Sequence, residues 1–328
     1  MSPVALTTVS TASHRAATTF FAVLIAALGV APAQAGYPER AIRMVVPNSA
    51  GGTADTLGRM LAQGLTEHFA RQVLVDNRPG AGTIIGTEIV ANAPPDGYTL
   101  LMSPTTLAIN PASYKKLPYD ALRDLAPISQ IASVPSVLVV HPSVPAKSVR
   151  DLIALAKARP GEIAYASPGH GTIPHLTMEL FASMAKIRML HVPYKGAAPA
   201  RIDLTAGRVA AATIIAYVPD GKLRALAVTS ARRSAAAPDI PTVAESGLPG
   251  FESVQWYGLL APARTPHEIV VRLHKATAVV LRASAIRDFL SQNGGEVVAS
   301  SPEAFGQFLK AETVKMAQAV KAAAIEPQ

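Results

Sequence analysis

The 328 residues contain no cysteine, which excludes disulfides, thiolate metal sites and cysteine nucleophiles together. Charge is also scarce. Asp, Glu, Lys and Arg make up 16% of the chain against 49% hydrophobic residues, a balance that a disordered chain does not have. Several enzyme signatures are missing as well: there is no G-x-S-x-G elbow and no P-loop. The glycines at 80, 82 and 86 are spaced G-x-G-x-x-x-G and follow a stiffening Pro79, so they do not make the dinucleotide fingerprint. The net charge is +8, but the basic residues stand singly or in pairs such as Lys115-Lys116 and Arg232-Arg233. Without a basic stripe interleaved with aromatics, nucleic acid is not an expected partner, whereas an anionic ligand or surface fits.

Long apolar runs are missing too, with one exception. Residues 20–30 are apolar but too few to span a bilayer; Arg15 precedes them and Ala33-Gln34-Ala35 follows. An uncleaved anchor or a buried helix would also suit an apolar run, but the A-x-A ending points to a secretory signal. Residues 1–35 are therefore expected to be cleaved after Ala35, leaving a soluble exported product.

The remainder has the length of two domains. Short β-branched runs alternate with stretches of helical period, the pattern of an α/β fold with a largely parallel sheet, and no internal repeat stands out. Candidate strands are 42–47, 73–77, 99–103, 137–141, 163–167, 189–192, 211–216, 224–229 and 256–261. Leu57, Leu61 and Leu65 share a helical face. Helix starts are legible at Ser148, at Thr265-Pro266-His267-Glu268 with Thr265 as the cap, and at Ser301-Pro302. Pro and Gly near 134–135 and 248–250 mark two crossings between domains. One discontinuous domain would combine 36–137 with 252–328, the other would hold 138–251, and the crossings would act as a hinge.

Two loops carry the candidate chemistry. The first contains Asn48, Ser49, Ala50, Gly51, Gly52 and Asp55, between a strand and an amphipathic helix. Its helix start leaves N–H groups and a partial positive charge for an oxyanion; a plain turn capped by Thr53 is the alternative. The second loop repeats the design with Ser167, Gly169, His170, Gly171, Thr172 and His175, ahead of a helix containing Pro174. Facing each other, two such loops would bridge a dicarboxylate and favour a closed form. His170 and His175 are five apart, off the one-face spacing of a zinc site, and no third ligand is evident, so no metal and no cofactor is expected.

These loops and their flanks resemble the Bug family, the TctC-like extracytoplasmic receptors of tripartite tricarboxylate transporters. The resemblance rests on Tyr37-Pro38-Glu39-Arg40, Asp76-Asn77-Arg78-Pro79-Gly80, Pro95-Asp96-Gly97-Tyr98, Leu117-Pro118-Tyr119-Asp120, His191-Val192-Pro193-Tyr194-Lys195-Gly196 and Gly221-Lys222-Leu223-Arg224, in that order. It implies a periplasmic-binding-protein type II-like Venus flytrap of two α/β domains joined by a hinge. The implied ligand is a small carboxylate: a di- or tricarboxylate, an acidic amino acid or an aromatic acid. The implied partners are the membrane subunits of a tripartite transporter, and a monomer is expected. By position, the resemblance adds Ser103, Thr105 and Tyr194 to the ligand-binding residues.

Three departures stand out. Asn48-Ser49-Ala50 replaces an apolar, proline-rich loop start, and His170 stands where a small polar residue is common. The segment after Gly207-Arg208-Val209 is shorter than in the family and places Ile214 where an aspartate is usual. That leaves two readings, a ligand with an apolar body or a loss of binding. Catalysis is not expected; the rivals to a transport receptor are a ligand sensor for a membrane kinase and an exported hydrolase using His175 or His170 as base.

Overall fold

The computed structural model describes residues 1–2, 36–194, 197–214, 221–234 and 237–327. It divides into residues 1–39 and 40–328, and the fold described here is that of the second unit. The expected signal segment lies, but for residues 1–2 at its start, outside the described residues. Among the described residues, no helix is long and apolar enough to cross a membrane.

The first half of the order is β1 (Ile42–Val46), α1 (Thr53–Phe69), β2 (Val73–Asn77), α2 (Ile84–Ala91), β3 (Thr99–Pro104), α3 (Thr106–Ser113) and β4 (Leu125–Pro135). The middle adds β5 (Val137–Val140), α4 (Val149–Ala158), β6 (Ala164–Ser167), α5 (Ile173–Ala185), β7 (Leu190–Pro193), α6 (Ala197–Thr205), β8 (Ala211–Ile214) and β9 (Arg224–Val228). The chain then returns through β10 (Val254–Pro262), α7 (His267–Val280), α8 (Ser284–Gln292), β11 (Glu296–Val297) and α9 (Pro302–Ala322).

These strands form two sheets, ordered β11-β4-β10-β3-β1-β2 and β7-β6-β8-β5-β9. Each sheet contains three parallel strands, β2-β1-β3 in one and β7-β6-β8 in the other, flanked by antiparallel ones. The largely parallel pattern read from sequence thus holds for three of six strands in one sheet and three of five in the other. The sheets share a topological plan that no sequence repeat discloses, and in both the middle parallel strand, β1 or β6, feeds one of the glycine loops. Ligands of such folds bind beyond the C-terminal ends of parallel strands, which is where these loops lie.

The chain passes from one sheet to the other across Ser136, whose N–H donates to Thr229 Oγ1 at 2.9 Å while its carbonyl accepts from Thr229 N–H, also at 2.9 Å. The return strand is tied alongside by Ser253 N–H to Thr229 O at 2.8 Å. A continuous core runs through both sheets, from Val45 and Leu101 to Tyr165 and Leu226, and α9 joins it through Phe305, Leu309 and Met316.

Local signals decide most helix starts. Ser148 Oγ accepts from Asp151 N–H at 3.2 Å and Ser301 Oγ from Ala304 N–H at 3.1 Å, as capping hydroxyls do. The start at Thr265 needs correcting. Its buried hydroxyl donates back to Pro262 O at 2.7 Å, Pro266 takes the extended N-cap conformation, and the helix begins at His267. Sequence reading also missed β4, because Pro127, Ser129, Gln130 and Ser133 break its apolar pattern. It lies inside the sheet between β10 and β11 all the same; Ser129 Oγ donates to Ser300 O, and register shifts against β10 absorb the irregularity.

Candidate functional site

The loop after β1 is built around Asp55. Gly52 is the extended N-cap residue of α1 and carries no side-chain cap, so the turn does not depend on Thr53 as a cap. Gly51, with φ 87°, donates its N–H to Asp55 Oδ2 at 2.9 Å. The same carboxylate accepts from Arg59 Nε at 3.1 Å and from Asn77 Nδ2 at 2.9 Å, and Asn77 Nδ2 also donates to the Asn48 carbonyl at 3.0 Å. Asp55 is only 3% exposed. Burial alone pushes its carboxyl up, but the bonds from Arg59, Gly51 N–H and Asn77 outweigh this and hold it below the usual range. Asp55 therefore fixes the loop rather than facing a ligand. Ser49, Ala50, Gly51 and Gly52 are exposed, and a Cβ at Gly51 would meet nothing within 4 Å. The first intrahelical bond is Thr56 N–H to Gly52 O, so the N–H groups of Thr53, Ala54 and Asp55 have no intrahelical partner.

The loop after β6 reproduces this arrangement with other chemistry. Thr172 is the N-cap residue of α5, and its hydroxyl donates to Gly169 O at 2.8 Å. Gly171, with φ 70°, donates its N–H to His175 Nδ1 at 3.0 Å, and a Cβ there would again meet nothing within 4 Å. His175 is 1% exposed. Burial, with His191 and His170 adding to it, lowers its pKa to about 3. Ser167 is buried; its Oγ donates to Gly169 O at 3.1 Å and lies 2.7 Å from His191 Nε2. Burial, followed by His170, lowers His191 to about 4. Tyr165 stacks on His191 and donates its hydroxyl to Glu179, whose carboxyl burial pushes up.

The remaining expected residues divide. Ser103 is buried with its hydroxyl donating to Pro104 O at 3.2 Å, and Thr105 is locked onto β10, accepting from Trp256 N–H at 2.8 Å. Both side chains serve the sheet. Tyr194 borders the second loop: its N–H donates to Ser167 O at 2.9 Å and its hydroxyl to Asp203 at 2.8 Å. Lys195-Gly196 and residues 215–220 lie outside the described residues. Ile214 is described and lines a cavity of about 160 Å³ with Ser167, Pro174, Arg201, Leu204 and Thr213, so position 214 presents an apolar side chain where the family resemblance puts an aspartate. A larger cavity of about 480 Å³, against Glu179, Arg188 and Ala322, touches neither loop.

Sequence reasoning missed Arg59, Asn77 and His191. The i,i+4 spacing of Asp55 and Arg59 was a usable signal. His191 had none until β6 and β7 paired in parallel and set it opposite Tyr165.

Residues 57–325 match the family model described as the tripartite tricarboxylate transporter family receptor, TctC. The chain belongs to this family. Protein BugT of Bordetella pertussis is 38% identical over 308 residues, covering 91% of this chain and 94% of BugT. Among solved structures, R. palustris Rpa4515 with adipate is 36% identical with a TM-score of 0.72, covering 89% of this chain and all of that one. MatC from Rhodopseudomonas palustris with bound malate is 28% identical with a TM-score of 0.69, covering 87% of this chain and 100% of MatC. The chain is thus a TctC-family extracytoplasmic solute-binding protein, and its two sheets belong to the two α/β lobes of a flytrap.

Proposed function

We propose that this TctC receptor captures a small dicarboxylate between its lobes, delivers it to the membrane subunits of a tripartite tricarboxylate transporter, and catalyses nothing. The observation that carries this reading is the paired loop design. Each loop follows a middle parallel strand, leads into a helix start, and holds an open-faced glycine by a back-reaching side chain. The chemistry on offer is backbone N–H donors at two helix N-termini, which suits one carboxylate at each end of a ligand. Adipate in Rpa4515 and malate in MatC are dicarboxylates, in agreement with this reading. In our proposal, 36–137 with 252–328 and 138–251 are the two lobes, hinged where the chain crosses at Ser136 and Ser253, both bonded to Thr229. The glycine loops face one another, and the apolar side chain of Ile214 takes the carbon chain of the ligand. Residues 1–35 are removed on export to the periplasm, where the receptor acts as a monomer.

Ser167 and His191 stand as close as a nucleophile and its base. Ser167 is buried, however, and its hydroxyl also bonds the Gly169 carbonyl, which leaves it ill placed to attack a substrate.

A thermal-shift titration with adipate, malate and adipamide tests the reading. A ligand that binds only the native state at 100 times its Kd stabilises by about 2.7 kcal/mol. Saturable shifts with the acids and none with the diamide are expected, and Gly51→Val or Gly171→Val should weaken binding by about tenfold or more. Folded protein that responds to no dicarboxylate would overturn the ligand class; unchanged affinity in both glycine variants would overturn the site.

A further inference from the structure

Backbone donors account for the carboxylate reading without calling on three imidazoles that cluster beside the second loop. His170 lies on the glycine loop, His175 in the first turn of α5 and His191 on β7, and one ring nitrogen of each lies within 4.8 Å of the other two. The rings of His175 and His191 stack with centroids 3.8 Å apart at 13°; His170 meets them edge-on at 5.5 and 4.9 Å. We propose that His170, His175 and His191 form a binding site for one divalent transition-metal ion of the zinc, cobalt, nickel or copper class, with a coordination position left for water or a carboxylate oxygen.

Imidazole nitrogens are the ligands these ions favour, whereas magnesium and calcium demand oxygen. Three histidines and one open position are also the ligand set of zinc sites that bind an exchangeable group. His175 and His191 each offer a lone pair on the ring nitrogen that bears no proton in a neutral imidazole. Those pairs are hydrogen-bonded, with Gly171 N–H donating to His175 Nδ1 at 3.0 Å and Ser167 Oγ 2.7 Å from His191 Nε2, so a bound ion takes the place of these contacts.

Metal–nitrogen bonds near 2.0–2.1 Å put tetrahedral ligand nitrogens about 3.4 Å apart, so the trio has to tighten when it loads. His170 has the most freedom to move, being exposed and flanked by Gly169 and Gly171 at φ 151° and 70°. His175 and His191, carried by a helix and a strand, have to turn their stacked rings apart as well, because an ion lies near the plane of each imidazole it binds. The open position would make the site a second recognition element for an anion that enters the same loop.

The test is a titration of tag-free, chelator-stripped protein with Co2+ and Zn2+, read by the Co2+ d–d spectrum and by competition with a chromophoric chelator. One ion per chain is expected, with the intensified absorption of a low-coordinate nitrogen site. His170→Ala and His191→Ala should each weaken binding by about tenfold or more, and His68→Ala, at the exposed end of α1, should not change it. His170 is exposed, so its variant is readable even if His191→Ala fails to fold. The absence of stoichiometric binding, or equal binding by wild type and His170→Ala, would overturn the site. Because the metal alone is the probe, that result would leave the carboxylate reading untouched.

Discussion

The loop after β1 is pinned by a carboxylate, Asp55, and the loop after β6 by an imidazole, His175. In both, the acceptor is the third residue of the helix and the donor is the N–H of the glycine just before the N-cap. The surroundings differ. Asp55 carries a charge and has a cation beside it, with Arg59 Nη2 3.0 Å from Oδ1. His175 sits neutral between a second histidine and the Glu179 carboxyl, 4.0 Å from its Nε2. The first helix start offers an N–H at its second position, whereas Pro174 removes the one at the same position of the second. The geometry of a strand-to-helix loop thus demands an acceptor at one place, and the neighbouring charges decide which acceptor can be buried there.

The sharpest way to break the comparison is to exchange the acceptors. His175→Asp buries a carboxylate near Glu179 without an arginine and forfeits the stack on His191, so it should cost about 2–3 kcal/mol in urea denaturation. Wild-type stability would show that the loops are interchangeable after all.

Next in size is Asp55→Asn, which leaves the half-exposed Arg59 uncompensated and should lower stability by about 1–2 kcal/mol at pH 7. The folded pKa of Asp55 lies below its unfolded value of about 3.9, so its stabilisation is present above that value and is lost as pH falls through the folded one. The gap between wild type and variant should therefore close below about pH 4. A gap that persists at pH 2 would mean that the charge of Asp55 is not what holds the loop.

The smallest effect concerns the N-cap itself, which is Thr172 in one loop and Gly52 in the other. Thr172→Val removes the hydroxyl bond to Gly169 O and should cost about 1 kcal/mol in stability, while affinity for adipate changes less than in Gly171→Val. A larger loss of affinity than in the glycine variant would make Thr172 a direct ligand group.

Much of the architecture was legible because its causes are local. The apolar stripe of Leu57, Leu61 and Leu65, the caps at Ser148 and Ser301, and both glycine loops each express a preference settled within one or two turns of chain. Ordered motifs along the chain sufficed for the family as well. Ser103 and Thr105 were harder, since a hydroxyl reads the same whether it meets a ligand or, like that of Thr105, a strand 151 residues away.

The sequence by itself determined an α/β chain with two helix-start loops suited to an oxyanion, because backbone periodicity, capping and glycine conformation are short-range effects. Tertiary structure alone decided what surrounds those loops. Parallel pairing of β6 with β7 brought His191 to His170 and His175, and burial and hydrogen bonding turned Asp55 from a candidate ligand into the clamp of its loop. Such outcomes depend on which distant groups share a low-dielectric space, and only the folded chain specifies that.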